Sequence, residues 1–325
     1  MSPLSDTLSG TALPDCPLPL ARLTCRIEFL SGGSVSQRWG QTLRGGLGYA
    51  LRDLFCAKGR LECGKCNLNT ACPYCYLFES PVPPQTEVMR LYTHTPHPLI
   101  IEAHPKIPTQ AVPGDSLDFS IVLIGQALAY FPFVARAIEE LGRQGLGRDQ
   151  VRFTLWHITD EFGHKCWTAN GRVLTPTPVC LPISAGKSRS GVFLINFFTP
   201  LRLKVGGGLC KQPSLSDLVL SLTRRLFLLR YFHGDGSKED LNSMFGPAAQ
   251  AAVLTKQQLM WHDYSRFSTR KNVEIPIGGL TGWLCFEGNF GILEPLLRLG
   301  EYIHVGKNVI FGLGQITAEE QREVA

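Results

Sequence analysis

The amino-terminal half of the chain alternates between strand-like and helix-like patterns of hydrophobic residues. Apolar and polar residues alternate over residues 21–30, as in a half-buried strand, and apolar residues then recur every three or four positions over residues 39–55, as in an amphipathic helix. The pattern then predicts strand, strand, helix and strand at residues 91–102, 116–124, 130–142 and 152–158. This order, β-α-β-β-α-β, is that of the ferredoxin-like split unit.

The carboxy-terminal half repeats the same order of patterns. A strand-like run at residues 192–198 precedes a long amphipathic helix at residues 215–232, and residues 234–259 form an excursion that ends in a helical stretch. Two strands and a helix are predicted next, at residues 261–273, 282–286 and 290–299, and a terminal strand follows the loop after them. The second half therefore predicts another unit of the same kind.

Proline and glycine punctuate residues 175–191, which we interpret as a linker between domains. The order of elements on its two sides predicts an α+β protein with two tandem ferredoxin-like (RRM-like) domains. Their expected bounds are residues 20–180 and 190–325.

Glycines also punctuate the segment between the last predicted helix and the last predicted strand. Gly306, Gly312 and Gly314 lie there, together with Lys307. Glycine tolerates positive φ and lets main-chain N–H groups approach a phosphate closely, and a lysine beside them adds positive charge. We therefore expect this glycine loop to contact a ligand that carries phosphate. The alternative is an ordinary turn before a β-bulge.

Four of the eleven cysteines are spaced like metal ligands, as Cys63-x2-Cys66-x5-Cys72-x2-Cys75 inside an insertion at residues 56–78. Two C-x2-C pairs this close can place four thiolates at about 2.3 Å from one Zn²⁺. Because protein then fills every position, such a zinc is structural and holds an insertion that has little core of its own. An iron–sulfur cluster and free or disulfide-bonded cysteines are the alternatives. The scattered cysteines are interpreted as small buried hydrophobes: Cys16, Cys25, Cys166, Cys180, Cys210 and Cys285.

Composition adds bounds to this picture. At 325 residues, of which 44% are apolar, the chain can bury two cores. The net charge of +5 is only mildly basic, so any binding of nucleic acid must depend on clustered cations. No signal-peptide pattern and no apolar run of roughly 18–20 residues is present, and we therefore expect a cytoplasmic protein.

Four stretches, in this order along the chain, carry a family resemblance: residues 120–128, 198–204, 261–282 and 290–316. Together they resemble the RAMP superfamily of CRISPR systems and, more narrowly, its repeat-processing endoribonucleases. The resemblance implies two tandem ferredoxin-like domains. It also implies an enzyme that binds the repeat hairpin of precursor crRNA and cleaves it, without a metal ion, by attack of a 2′-hydroxyl that leaves a cyclic phosphate.

The partners that this resemblance implies are CRISPR repeat RNA or crRNA, with other subunits of a CRISPR effector complex as further candidates. A second class of function stays open, in which the chain is a non-catalytic RNA-binding RAMP subunit of such a complex. A zinc protein unrelated to RNA would require all four stretches to be coincidental.

The candidate catalytic groups depart from the pattern that the resemblance implies. Related enzymes use a histidine near the first strand and helix, but this chain has no histidine before His94. Cleavage by a 2′-hydroxyl needs a base, an acid and cations for the phosphorane. We expect His262 to be the acid or base, Lys58 and Arg44 to stabilise the phosphorane, and Tyr49 to be the substitute base.

Clustered cations follow His262 in one predicted strand. Arg266, Arg270 and Lys271 could track successive phosphates of an RNA stem, and Tyr264 could stack on a base. The alternative is the solvated face of a surface sheet. We therefore expect RNA to bind this strand and the glycine loop.

Overall fold

The computed structural model describes residues 16–35, 38–56, 63, 66, 68, 71–103, 108–263, 265–268 and 273–321. The chain divides into two compact units. The first unit comprises residues 1–180 with 228–236, and the second comprises residues 181–227 with 237–325.

The first unit is built around a five-stranded antiparallel sheet. Its elements, in chain order, are β1 (Leu20–Phe29), β2 (Gly33–Ser34), α1 (Trp39–Phe55), β3 (Leu99–Glu102), β4 (Gln110–Ala111), β5 (Ser116–Ile124), α2 (Phe131–Gln144), β6 (Phe153–Thr159) and β7 (Lys165–Thr168). The sheet has the order β3-β5-β1-β6-β7, and β2 pairs with β4 separately. Without β7, this is the strand order of a ferredoxin-like domain, as the sequence predicted.

Two glycines explain how α1 packs in the first unit. A Cβ on Gly46 would lie 2.5 Å from the side chain of Leu141 on α2, and a Cβ on Gly48 would lie 3.1 Å from the ring of Phe78. Neighbouring side chains therefore occupy the space that these glycines leave open. The segment with Phe78 follows the cysteine pattern and forms a π-helical turn at Cys75–Glu79.

A disulfide links the two ends of the chain segment that forms most of the first unit. It corrects the interpretation of two cysteines as buried free thiols. Cys16 and Cys180 are bonded to each other, and beside them Leu20 and Val179 form an isolated β-bridge. The pair was missed because the two cysteines are 164 residues apart in sequence. Cys25, Cys166 and Cys285 are buried free thiols, as expected.

The second unit has a four-stranded antiparallel sheet. Its elements are β8 (Gly191–Leu201), β9 (Lys204–Val205), β10 (Gly208–Leu209), α3 (Leu215–His233, whose last residues belong to the first unit), α4 (Leu241–Ala251), β11 (Val253–His262), β12 (Ser265–Ser268), β13 (Val273–Pro276), β14 (Gly279–Gly288), α5 (Phe290–Ile303) and β15 (Ile316–Gln321). The sheet order β11-β14-β8-β15 is again ferredoxin-like. β12 and β13 pair as a two-stranded ribbon between β11 and β14.

Two predicted strands have different bounds in the structure. The strand predicted at residues 91–102 begins only at Leu99, after turns and bends. The strand predicted at residues 261–273 overlaps β11 only at Trp261 and His262, where β11 ends, and the ribbon follows. β11 escaped detection because nearly all of its residues are exposed, so no alternation of apolar and polar residues marks it. None of the described helices combines the length and apolarity that a bilayer crossing requires.

Candidate nucleic-acid interface

The glycine loop connects α5 to β15 and is closed by its own hydrogen bonds. His304, which follows α5, is fully buried with φ of 57°, and its Nδ1 lies 3.1 Å from the carbonyl oxygen of Leu313. The N–H of Val305 donates to the carbonyl of Gly314 at 2.9 Å. The buried His304 therefore fixes the base of the loop and does not present its ring to a ligand.

Two loop glycines lie against the protein's own backbone. A Cβ on Gly314 would lie 1.9 Å from the carbonyl oxygen of Val305, and one on Gly306 would lie 2.5 Å from that of Arg202. Both glycines have positive φ, a backbone conformation that residues with a side chain rarely adopt. The fold itself therefore requires glycine at these positions, whatever the loop binds.

Gly312 ends the short 3-10 turn of the loop and is buried. It adopts the left-handed conformation with φ of 79°, and its carbonyl accepts a hydrogen bond from the hydroxyl of Thr199 at 2.7 Å. The same hydroxyl accepts from the N–H of Gln315 at 2.9 Å. The end of β8 thus clamps the loop. That the three loop glycines contact RNA stays a prediction.

Three cations belong to this clamp and its surroundings. Lys307 is exposed, and its N–H donates to the carbonyl of Arg202 at 2.8 Å. The guanidinium of Arg202 in turn donates to the carbonyl of Gly278 at 2.9 Å. Arg225 on α3 donates to the carbonyl of Ile303 at 2.6 Å, and burial lowers its pKa to about 10. The structure thus holds Lys307 in a fixed backbone frame, and sequence reasoning assigned no role to Arg202 or Arg225.

A cation at the carboxyl end of a helix satisfies its last carbonyls, which explains Arg225. The spacing from Arg225 to the end of α5 in the sequence gives no signal for this contact. Arg202 lies in residues 198–204, a stretch that carries the family resemblance, and this was the one clue to its role in the sequence.

His262 ends β11, next to the ribbon. It is exposed, and its Nε2 lies 2.7 Å from the hydroxyl of Thr281 on β14, which orients the ring. Arg266 occupies a position on β12, and its side chain is outside what the structure describes. Tyr264, Arg270, Lys271 and Lys58 lie outside the described residues.

Arg44 and Tyr49 lie on α1, in the first unit. The guanidinium of Arg44 sits 5.2 Å from the ring centroid of Phe78, a cation–π contact, and Tyr49 is 57% exposed. His262 belongs to the second unit, so neither unit alone brings the predicted acid–base pair together. Their catalytic roles stay predictions.

The four cysteines of the predicted zinc site are free thiols. Burial raises the pKa of the Cys63 thiol, nearby Glu79 adds to this, and a hydrogen bond with Cys75 opposes it. Within the described residues, however, no three His, Cys, Asp or Glu side chains converge into a set of metal ligands. The zinc site therefore stays a prediction.

Three solved structures share the fold across nearly the whole chain. A Cas6 product complex has a TM-score of 0.57 at 13% identity, covering 93% of this chain and 99% of its own. Cas6 of Thermus thermophilus has a TM-score of 0.55 at 10% identity, with the same coverage of 93% and 99%. A partial Cas6-RT-Cas1–Cas2 complex has a TM-score of 0.56 at 13% identity and covers 95% of this chain and 47% of its own.

Sequence families give a match that is independent of these structures. Residues 18–179 match a family model described as an N-terminal domain, and residues 195–316 match the model of the CRISPR-associated endoribonuclease Cas6. Among curated proteins, none matches the sequence. Residues 195–316 are therefore similar to the Cas6 family, and the shared fold agrees with the resemblance to the CRISPR repeat-processing proteins of the RAMP superfamily.

Proposed function

We propose that this chain is an endoribonuclease that binds the repeat hairpin of precursor CRISPR RNA and cleaves it by 2′-hydroxyl attack, without a metal ion. The observation that carries the proposal is the glycine loop of a domain that matches the Cas6 family model, because this loop is clamped by β8 and carries the exposed Lys307. Cas6 structures of the same fold include product complexes. RNA is therefore the expected substrate, and other CRISPR proteins are candidate partners.

The reaction needs no group from outside the RNA and the protein. The 2′-hydroxyl loses its proton to a base, its oxygen attacks the adjacent phosphorus, and the bond from phosphorus to the 5′-oxygen breaks. The leaving 5′-oxygen takes a proton from an acid, so the products are a cyclic phosphate and a 5′-hydroxyl. Cations stabilise the extra negative charge on the phosphorane.

His262 is the candidate acid or base for this reaction, because its ring is exposed and Thr281 orients it. Arg44 and Lys58 are proposed to stabilise the phosphorane, and Tyr49 is the candidate substitute base. Arg266, Arg270, Lys271 and Lys307 are proposed to bind RNA phosphates, and Gly306, Gly312 and Gly314 to shape the loop around the backbone of the RNA.

Single-turnover cleavage of the cognate repeat RNA in EDTA tests this proposal. Wild-type protein should give one discrete product, and a repeat with 2′-deoxyribose at the cut should stay intact. His262→Ala should lower the rate by about 10²–10⁴ at saturating protein, as removal of a general acid or base does. His94→Ala, which removes a histidine of the first unit, should cleave normally.

The non-catalytic reading remains the second candidate, because no histidine precedes His94 and His304 is buried. It predicts that the wild type binds the repeat tightly and leaves it intact in EDTA and in Mg²⁺. That result would replace the endoribonuclease by an RNA-binding subunit.

We further propose that Cys63, Cys66, Cys72 and Cys75 hold one structural Zn²⁺. The paired C-x2-C spacing and the hydrogen bond between Cys63 and Cys75 support this set. Elemental analysis of purified protein should find about one zinc per chain. Replacing Cys66 and Cys72 by Ser should abolish zinc and lower stability, whereas Cys56→Ser should leave both unchanged. Protein that contains neither zinc nor iron would contradict the site.

A further inference from the structure

One face of the second unit's sheet carries side chains that the glycine loop and the ribbon do not account for. On β8, Phe193, Ile195 and Phe197 are buried in the core. Because side chains of a strand alternate between faces, Asn196 and Phe198 point to the opposite side. We call this opposite side the open face.

A row of neutral polar groups crosses the open face. Gln258, Trp283, Asn196 and Thr317 are successive partners in register on β11, β14, β8 and β15. The indole N–H of Trp283 donates to Gln258 at 3.2 Å, and the amide of Asn196 donates to Thr317 at 3.4 Å. These groups can exchange their hydrogen bonds with the edges of unpaired bases.

Phe198 lies diagonally next to this row and is 49% exposed, although it sits on a central strand of the sheet. Its backbone N–H donates to the carbonyl of Gln315 at 3.1 Å, and Thr199, the next residue, clamps Gly312. The backbone at Phe198 therefore adjoins the end of the glycine loop. About half of Phe198 is therefore accessible to a ligand.

Charge is distributed unevenly along the open face. Lys256 on β11 is exposed and in register with Cys285, two positions from Trp283. Glu287 and Glu319 lie on the same face, farther from the glycine loop than Phe198. The carboxylates therefore disfavour RNA at the end of the face away from the loop, where Lys256 offsets part of their charge.

We propose that the open face binds a short unpaired stretch of RNA next to the repeat hairpin, with one base stacked on Phe198 and the next contacting Trp283 and its row. The proposal rests on the proposed function for the identity of the RNA. Paired RNA presents its phosphates and 2′-hydroxyls but not its base faces, so an aromatic ring flanked by amides suits splayed bases. The diagonal spacing of Phe198 and Trp283, about 7–8 Å, is within reach of two successive bases.

Fluorescence anisotropy with two RNAs tests this inference. Both carry the repeat hairpin with 2′-deoxyribose at the cut, and one adds an unpaired flank of about six nucleotides. Wild-type protein should bind the flanked RNA more tightly. Phe198→Ala should weaken binding of the flanked RNA by about 5- to 100-fold, the loss that one base stack causes, and should leave binding of the bare hairpin unchanged.

Phe162→Ala is the matched control, because Phe162 is a similarly exposed phenylalanine, at 57%, in the first unit. Phe198→Tyr keeps a stacking ring and should bind like the wild type, which separates stacking from folding. Equal effects of Phe198→Ala on both RNAs, or no effect on either, would overturn the inference. If the wild type binds the flanked RNA selectively but leaves the same RNA with ribose at the cut intact, the proposed activity fails while this inference stands.

Discussion

The sheets of the two units have the same strand order but opposite chemistry on their open faces. In the first unit, β1 places Arg22 and Arg26 on the face away from the core, and both pair with carboxylates. Arg22 lies 3.0 Å from Glu102, and Arg26 lies 2.6 Å from Asp118 in direct register on β5. In the second unit, the corresponding face carries the neutral row around Trp283 and the exposed ring of Phe198.

This difference shows that one fold can use its sheet for two purposes. Arginines that are already paired offer little net charge to a phosphate, so the first face serves to hold its sheet together. The second face has no arginine–carboxylate pair among its described residues, and the backbone of Phe198 adjoins the clamped glycine loop. We therefore propose that RNA binds the loop, the ribbon and the open face of the second unit.

The largest expected effect comes from the glycine loop. Gly314→Val should abolish binding of the repeat, because the new Cβ would lie 1.9 Å from the carbonyl oxygen of Val305 and would displace the loop. Gly45→Ala, where nothing lies within 4 Å of the new Cβ in α1, is the control and should keep both stability and binding. Anisotropy and thermal melting measure the two properties. Normal binding by Gly314→Val would remove the loop from the interface.

A smaller effect separates stability from binding in the first unit. Arg22→Ala leaves Glu102, which is 7% exposed, without this partner, so it should lower the free energy of unfolding by about 1–3 kcal/mol. Arg26→Ala removes an ion pair between two exposed side chains and should cause no measurable change in the free energy of unfolding. Denaturant titration gives both values. Neither variant should alter RNA affinity, and a loss of affinity in both would break the comparison.

The smallest effect concerns single phosphate contacts. Lys307→Ala and Arg266→Ala should each reduce the slope of log affinity against log salt by about one unit or less, because each removes at most one phosphate contact. Arg26→Ala is the matched control, and its slope should equal that of the wild type. Affinity measured over a salt series decides the matter. Unchanged slopes in both test variants would show that these cations face away from the RNA.

Sequence patterns predicted the elements whose two faces differ. The helix at residues 39–55 has the predicted bounds, because one side of it is buried and the other is not. β11 was missed because its exposed residues carry no such contrast. The Cys16–Cys180 disulfide was missed because its partners meet only in the folded chain.

The candidate site was predictable to a similar extent. The spacing of the glycines located the loop. It did not explain why glycine is needed there, because the carbonyls that crowd Gly306 and Gly314 come close only in the folded chain. Phe198 lies in residues 198–204, one of the stretches that carry the family resemblance. Its exposure could not be predicted from the sequence, because it depends on which face of β8 is covered. The roles of His262, Arg44 and Tyr49 depend on a bound RNA and stay predictions.

Ultraviolet crosslinking of the repeat RNA, with its unpaired flank, followed by mass spectrometry of the crosslinked peptides tests the central claim most directly. We expect crosslinks in the second unit, at Phe198, at Trp283 and in residues 305–315. Exposed aromatic side chains of the first unit, such as Trp156 on β6, should stay uncrosslinked. Crosslinks confined to β1 and β6 would contradict the claim that the second unit carries the RNA-binding face.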